Sequence, residues 1–131
     1  MIALDTNVAV RLIVRDDPKQ MQAAKMLLKE ECFIGWTVLL ELGWVLDAIY
    51  GLTRNEIVAG IAGLLDMETV TVPNELAVRW ALERFAESAD YADMIHLAAC
   101  DRSIEFFATF EKKLARKAGP DSPAIVRTLR A

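Results

Sequence analysis

Cysteine and histidine are scarce in this chain of 131 residues, which has two cysteines and one histidine. Cys32 and Cys100 lie far apart in the sequence and form no C-x-x-C motif. The sequence therefore offers neither a disulfide framework nor a zinc site. A metal site, if there is one, has to be built from oxygen ligands.

Long apolar runs are also lacking. No stretch approaches the roughly 18 uninterrupted apolar residues that a membrane-spanning helix requires. The first residues carry neither the basic region nor the small-residue cleavage site of a secretory signal. We therefore expect a cytoplasmic protein without a membrane segment.

Basic residues are few before residue 112. Residues 1–111 carry nine Lys or Arg against eighteen Asp or Glu, whereas residues 112–131 carry six against one. Nucleic acids bind where Lys and Arg displace the counterions of their phosphates. The acidic body therefore favours phosphate binding only through a metal ion or a local basic edge. A solvated surface with a basic end is the alternative that charge alone leaves open.

Short apolar runs alternate with helical patterns along the whole chain. The runs predict strands at residues 2–4, 32–35, 69–72, 106–108 and 124–126. Between them we predict a helix capped by Thr37, a helix opened by the Thr53–Glu56 capping box, and a helix that starts at Thr109. This alternation predicts an α/β fold with a central parallel sheet of four to five short strands, flanked by helices. Residues 1–131 are predicted to form a single domain.

Acidic residues follow predicted strands or open predicted helices, which is where parallel sheets bind their ligands. Asp5 follows the first strand and Glu111 follows the fourth. Asp90 and Asp93 open a helix. Each also has a local explanation, because Asp5 and Asp90 can cap helices. Asp93 can complete such a cap, and Glu111 can interact favourably with a helix dipole.

Glu41 lies in a segment, residues 37–46, that is apolar on nearly all sides. A capping box from Thr37 would need its acid at position 40, where Leu40 stands. We therefore expect Glu41 to be buried, and a buried unpaired carboxylate costs several kcal/mol unless a cation neutralises it. Carboxylates gathered at one edge of a sheet repel one another, and a divalent cation offsets that cost. Oxygen ligands of this kind suit Mg²⁺ or Mn²⁺.

Four blocks of the sequence resemble the PIN domain, and more narrowly the VapC-type toxins of prokaryotic type II toxin–antitoxin systems. The blocks are residues 1–7, Glu41, residues 90–99 and residues 108–115. They keep the order and spacing of the family and span nearly the whole chain. The resemblance implies a PIN-like three-layer fold. It also implies a Mg²⁺- or Mn²⁺-dependent endoribonuclease that hydrolyses RNA with metal-activated water and is inhibited by a cognate antitoxin.

The resemblance places the catalytic and metal-binding acids at Asp5, Glu41 and Asp93, with Asp90 in support. Glu111 stands where the family usually has Asp, and its extra methylene alters the geometry of a second metal ion. The remaining expected contributors are Asn7, which would orient Asp5, and Thr109, a hydroxyl residue beside Glu111. We expect a homodimer, and we expect RNA or antitoxin contacts from Lys112, Lys113, Arg116 and Lys117.

Other functions remain open at this point. A catalytically degenerate PIN-fold scaffold would act only as a binding or assembly module, and Glu111 in place of Asp favours it. A phosphoaspartate hydrolase usually carries a second Asp where this chain has Asn7. A receiver domain needs an acidic pair at its first strand, whereas Asp16 and Asp17 come a helix later.

Overall fold

Short strands and helices alternate in the computed structural model, which describes residues 1–131. The strands are β1 Ile2–Ala3, β2 Cys32–Phe33, β3 Val70–Thr71, β4 Phe107–Thr109 and β5 Val126–Thr128. The helices are α1 Thr6–Ile13, α2 Pro18–Leu27, α3 Trp36–Trp44, α4 Arg54–Leu65, α5 Glu75–Glu87, α6 Tyr91–Ala98 and α7 Leu114–Ala118. A π-helical segment, Val45–Ile49, directly follows α3.

Every strand pairing is parallel. In one sheet the order is β1-β2-β3, with Ile2 opposite Cys32 and Cys32 opposite Val70. In the other sheet β4 pairs with β5, and Phe107 lies opposite Val126. Parallel strands joined through helices confirm the predicted α/β class. The five strands form these two sheets of three and two strands.

The chain divides into two units, Met1–Glu75 and Leu76–Ala131. The first unit contains β1 to β3, α1 to α4 and the π-helical segment. Within it, α1 packs against α2, α3 and α4. Apolar side chains at helical spacing form the buried interior of this unit: Val10, Leu39, Leu42, Leu46, Ile57, Ile61 and Leu64. Burial of such side chains supplies most of the stabilisation of short helices.

The start of α3 differs from the prediction. Gly35, with extended backbone at φ −84° and ψ 173°, occupies the N-cap position, so Thr37 lies inside the helix. The Thr37 cap was wrong because the carbonyl of Gly35 already accepts the first helical bond, from Leu39. The helical path then continues through the π-helical segment to Tyr50, and Gly51 ends it with a φ of +64°.

Other predicted helix starts are confirmed. The Thr53 hydroxyl accepts from the Glu56 N–H, and the Glu56 carboxylate accepts from the Thr53 N–H, which completes the capping box. These two bonds lower the pKa of Glu56, because they favour its charged form. Asp90 caps α6 in the same local manner.

The second unit contains α5, α6, α7 and the β4–β5 pair. The rings of Phe85 and Tyr91 meet edge to face, with centroids 5.5 Å apart. Helix α7 packs against β5. None of the helices in either unit combines the length and apolar content that a membrane crossing requires.

The helix predicted to start at Thr109 begins only at Leu114. Thr109 instead ends β4, and its hydroxyl accepts the Glu111 N–H at 3.0 Å. The Glu111 carboxylate accepts the Lys113 N–H at 3.1 Å. The Thr109 carbonyl, which would accept the Lys113 N–H in a helix, instead accepts the Leu129 N–H at 2.7 Å, so residues 110–113 form a turn.

Candidate functional site

Three of the predicted acids line one cavity in the second unit. This cavity of about 210 Å³, called the acidic cavity below, is lined by Ser88, Asp90, Asp93, Met94, Glu111, Lys113, Leu114 and Lys117. The acids come from two places, the start of α6 and the turn after β4. The fold of this unit therefore gathers Asp90, Asp93 and Glu111 around one space.

Asp90 and Asp93 have different structural roles at the start of α6. The Asp90 carboxylate accepts the Asp93 N–H at 3.0 Å and so caps the helix. The structure forms only this half of the predicted reciprocal pair. Helix capping therefore explains Asp90 and leaves the carboxylate of Asp93 without a capping role.

The electrostatic surroundings of Asp93 disfavour its charge. Partial burial raises the pKa of Asp93, and the nearby carboxylates of Asp90 and Glu111 raise it further, while His96 acts in the opposite direction. A carboxyl group that is partly desolvated beside like charges is a frequent feature of functional sites. A cation placed among these acids would relieve the repulsion.

Glu111 is held by the turn that follows β4. Its N–H is bound by the Thr109 hydroxyl, and one of its carboxylate oxygens accepts the Lys113 N–H. Thr109 thus fixes the backbone that carries Glu111. Since Glu111 lies before α7, its interpretation as a first-turn helix acid was wrong.

The four basic residues expected to contact RNA or the antitoxin do not all line one cavity. Lys113 and Lys117 line the acidic cavity, and the Lys117 ammonium donates to the Ser88 hydroxyl at 2.7 Å. Lys112 lines a different cavity, and Arg116 is exposed on α7. Lys112 and Lys113 precede α7, which begins at Leu114, so only two of the four residues belong to that helix.

In the first unit, Asp5 follows β1 and caps α1. Its carboxylate accepts the Thr6 N–H at 2.8 Å, and the side chain is exposed. Thr6 is 4% exposed, and its hydroxyl has no hydrogen-bond partner. A buried hydroxyl without a partner costs roughly 1–3 kcal/mol, so it calls for an explanation. Sequence reasoning missed Thr6, because an unpartnered hydroxyl is visible only in three dimensions.

Glu41 is exposed, which corrects the prediction that it is buried. Helix α3 buries Leu39, Leu42 and Gly43, whereas Thr37, Glu41 and Trp44 lie on its exposed face. The apolar residues around Glu41 in the sequence do not imply that it is buried, because an apolar side chain, Trp44, also lies on the exposed face of α3. An exposed Glu41 needs no neutralising cation, so its proposed metal-binding role depends on the family resemblance.

Asn7 is exposed on the first turn of α1 and lines a groove with residues of α2. The groove, of about 420 Å³, is lined by Asn7, Val8, Arg11, Gln20, Ala23, Ala24 and Leu27. The Arg11 guanidinium is held in place, because it binds the Asp16 carboxylate and the Tyr50 hydroxyl. Orientation of Asp5 by Asn7 stays a prediction.

No group of three or more His, Cys, Asp or Glu side chains is arranged to hold a metal ion. The donor chemistry of the acidic cavity nevertheless suits Mg²⁺ or Mn²⁺, which prefer carboxylate oxygens. Partial burial raises the pKa of Asp93 most, and the carboxylates of Asp90 and Glu111 raise it further; a divalent cation bound here would favour the charged form of all three acids. In their chemistry, the residues of the acidic cavity fit such a cation.

Comparison with protein families gave one match. The family model of the PIN domain matches residues 2–120. This range includes every acid predicted for the site, from Asp5 to Glu111. Comparisons with curated proteins and with solved structures found no match.

Proposed function

The chain belongs to the PIN domain family, and from this membership we propose a divalent-metal-dependent endoribonuclease, the toxin of a type II toxin–antitoxin pair. PIN domains are generally nucleases, so family membership supports a nuclease role. The finer parts of the proposal are the RNA substrate, the metal requirement and the antitoxin. They are supported by the residues of the acidic cavity and by the resemblance of the sequence.

Asp93 carries the proposal. Its carboxylate takes no part in the helix cap and lines the same cavity as Asp90 and Glu111. Its pKa is raised. Asp93 and Glu111 would hold Mg²⁺ or Mn²⁺, and the proposal adds Asp5 and Glu41 as further ligands. When bound, the metal supplies an activated water and stabilises charge on the phosphoryl oxygens.

The residues around these acids have separate tasks in the proposed reaction. Asp90 fixes the first turn of α6 and so positions Asp93. Thr109 holds the backbone of Glu111. Lys113 and Lys117 line the same cavity, and their ammonium groups would attract the RNA phosphate.

The proposed partners follow from charge and from exposed apolar side chains. The basic residues after Glu111 would bind an acidic segment of the antitoxin or its terminal carboxylate. Trp44 and Ile49 are 63% and 62% exposed, and such side chains are common in subunit contacts. We propose that they contribute to a homodimer.

Charge-removing variants of the acids test the catalytic proposal. Asp93→Asn, Asp5→Asn and Glu41→Gln should each lower the cleavage of single-stranded RNA in Mg²⁺ or Mn²⁺ by about 100-fold or more. Mutation of a residue that only supports a metal ligand already lowers metal affinity or activity by about 10- to 100-fold. Because Asp5 and Glu41 are exposed, these variants should fold normally, which circular dichroism would check. Asp47→Asn, an exposed acid of the π-helical segment, is the matched control and should cleave like wild type.

Cleavage retained by a folded Asp93→Asn variant would contradict the proposal. The degenerate-scaffold alternative predicts instead that wild-type protein neither cleaves RNA nor binds Mn²⁺. Variants of Glu111 further distinguish the ribonuclease from the degenerate scaffold. If it is a ligand, Glu111→Asp should keep or raise the activity, while Glu111→Gln should lower it.

A further inference from the structure

An exposed aromatic side chain lies directly beside the acidic cavity. Phe110 is 65% exposed and lies between β4 and α7. It lines a cavity of about 710 Å³, called the Phe110 cavity below, together with Lys112, Thr128, Leu129, Arg130 and Ala131. This volume falls within the range of roughly 300–1,000 Å³ that small-molecule sites occupy.

The turn after β4 separates two cavities. Phe110 and Lys112 line the Phe110 cavity, while Glu111 and Lys113 line the acidic cavity. The turn is anchored on both sides. The Leu129 N–H donates to the Thr109 carbonyl at 2.7 Å, and Glu111 is bound through Thr109 and Lys113. A ligand that extends along this turn would therefore contact both cavities.

The two cavities differ in charge. The ionisable side chains that line the Phe110 cavity are Lys112 and Arg130, both exposed and both cationic. The acidic cavity is lined by three carboxylates, Asp90, Asp93 and Glu111, together with Lys113 and Lys117. The nearby Arg127 is engaged elsewhere, because its guanidinium stacks 3.8 Å from the centre of the Phe106 ring. A phosphate chain is therefore attracted to the Phe110 cavity without needing a metal ion.

We propose that the Phe110 cavity binds one nucleotide of single-stranded RNA. Its base stacks on the Phe110 ring, and its flanking phosphates contact Lys112 and Arg130. An exposed aromatic ring and two cationic side chains that line the same cavity are the combination that binds unpaired bases together with their backbone. Bases within a duplex are already stacked on their neighbours, so the site selects single strands. The inference rests on the proposed function, since the same strand would continue into the acidic cavity for cleavage.

RNA binding without metal tests the subsite. The probes are a fluorescent single-stranded RNA of about ten nucleotides, its abasic ribose-phosphate counterpart and a duplex of the same length, all measured in a chelator. Wild type should bind the base-bearing strand most tightly. Phe110→Ala should weaken that binding by about 5- to 100-fold, the effect of losing one base–aromatic stack, and leave the abasic strand unaffected. Phe110→Trp should retain the preference.

Matched variants separate stacking from charge. Ile125→Ala removes an exposed apolar side chain, 70% exposed, that lies outside the Phe110 cavity, and it should bind RNA like wild type. Lys112→Gln and Arg130→Gln should weaken the binding of base-bearing and abasic strands alike. Each should also reduce the slope of log affinity against log salt by about 0.7, the value for one lost contact with a single strand.

Failure of the subsite and failure of the proposed function give different results. Unchanged RNA binding by Phe110→Ala would overturn the subsite, even if wild type cleaves RNA. The exposed Phe110 ring would then be assigned to contact with a protein partner. If wild type does not cleave RNA in Mn²⁺ but its base-dependent binding disappears in Phe110→Ala, the subsite is supported and the ribonuclease proposal fails.

Discussion

The charge of Asp93 is unfavourable in the folded protein. Because its folded pKa lies above the ordinary value of 3.8, the folded state keeps a proton that the unfolded chain has already released. The free energy of unfolding therefore falls as the pH rises from 3.8 to the raised pKa of the folded state. This loss of stability persists at neutral pH. In the metal-free protein, Asp93→Asn should remove this loss, since the neutral amide needs no counter-charge.

Urea unfolding in a chelator, at several pH values between about 3.5 and 7, checks this expectation. The free energy of unfolding of Asp93→Asn should exceed that of wild type by an amount that grows above pH 3.8. Asp47→Asn serves as the control and should show no such growing difference. A difference that stays constant or shrinks with pH would show that Asp93 is not destabilised by its charge.

The hydroxyl of Thr6 is a second unfavourable feature at the level of single residues. It is buried beside Asp5 without a hydrogen-bond partner. Thr6→Val replaces it with a methyl group of similar shape and should stabilise the metal-free protein by about 1 kcal/mol. If the hydroxyl supports Asp5 in catalysis, the same variant should cleave RNA more slowly, a common trade-off at functional sites.

Thermal unfolding and RNA cleavage of the same Thr6 variants would test both effects. Thr6→Ser keeps the hydroxyl and should retain activity, although the lost methyl group lowers its stability. A destabilised Thr6→Val protein would mean that the hydroxyl has a partner, such as a water molecule.

At the scale of elements, two glycines of α4 differ in their surroundings. A Cβ atom on Gly60 would meet Ile13 Cγ2 at 2.6 Å, whereas one on Gly63 would meet nothing within 4 Å. Gly63→Ala should therefore stabilise the protein by about 1 kcal/mol, because alanine favours the helix. Gly60→Ala gains the same propensity but displaces Ile13 at the α1–α4 contact, so it should be less stable than Gly63→Ala.

Chemical denaturation of the two alanine variants makes this comparison directly, because they share a helix and a chemical change. Neither glycine lines a cavity described above, so both variants should cleave RNA at the wild-type rate. Equal stabilisation by both substitutions would indicate that Ile13 moves without cost and that α1 and α4 are loosely packed.

At the scale of the whole molecule, charge is divided between an acidic body and a basic end. Net charge is −9 over residues 1–111 and +5 over residues 112–131.

A divalent cation that binds only the folded protein should raise its melting temperature by mass action. At a concentration 100 times its Kd, Mn²⁺ should add about 2.7 kcal/mol, which corresponds to roughly 10 °C in a protein of this size.

Melting curves across a Mn²⁺ titration would measure this rise. Asp93→Asn and Asp5→Asn should each reduce it, because each removes a proposed ligand, while the control Asp47→Asn should keep it. A rise of the same size in all three variants would mean that Mn²⁺ binds somewhere other than the predicted acids.

The sequence by itself determined features that depend on neighbouring residues. The five strands lie within two residues of their predicted positions, because short apolar runs bounded by polar residues specify them. The caps at Asp5, Thr53 and Asp90 form because each bond reaches at most three residues along the chain. Similarity to the PIN domain was visible for the same reason, since its motifs are short and ordered.

Only the tertiary structure decided which faces are covered and what shares a cavity. Glu41 is exposed because packing covers the opposite face of α3, a choice that its apolar neighbours in the sequence do not reveal. Glu111 and Phe110 line different cavities because the Thr109 carbonyl bonds the Leu129 N–H, so the chain turns after β4 instead of beginning a helix there. These outcomes depend on contacts between residues that are distant in the sequence or on competing local bonds, and neither leaves a periodic pattern.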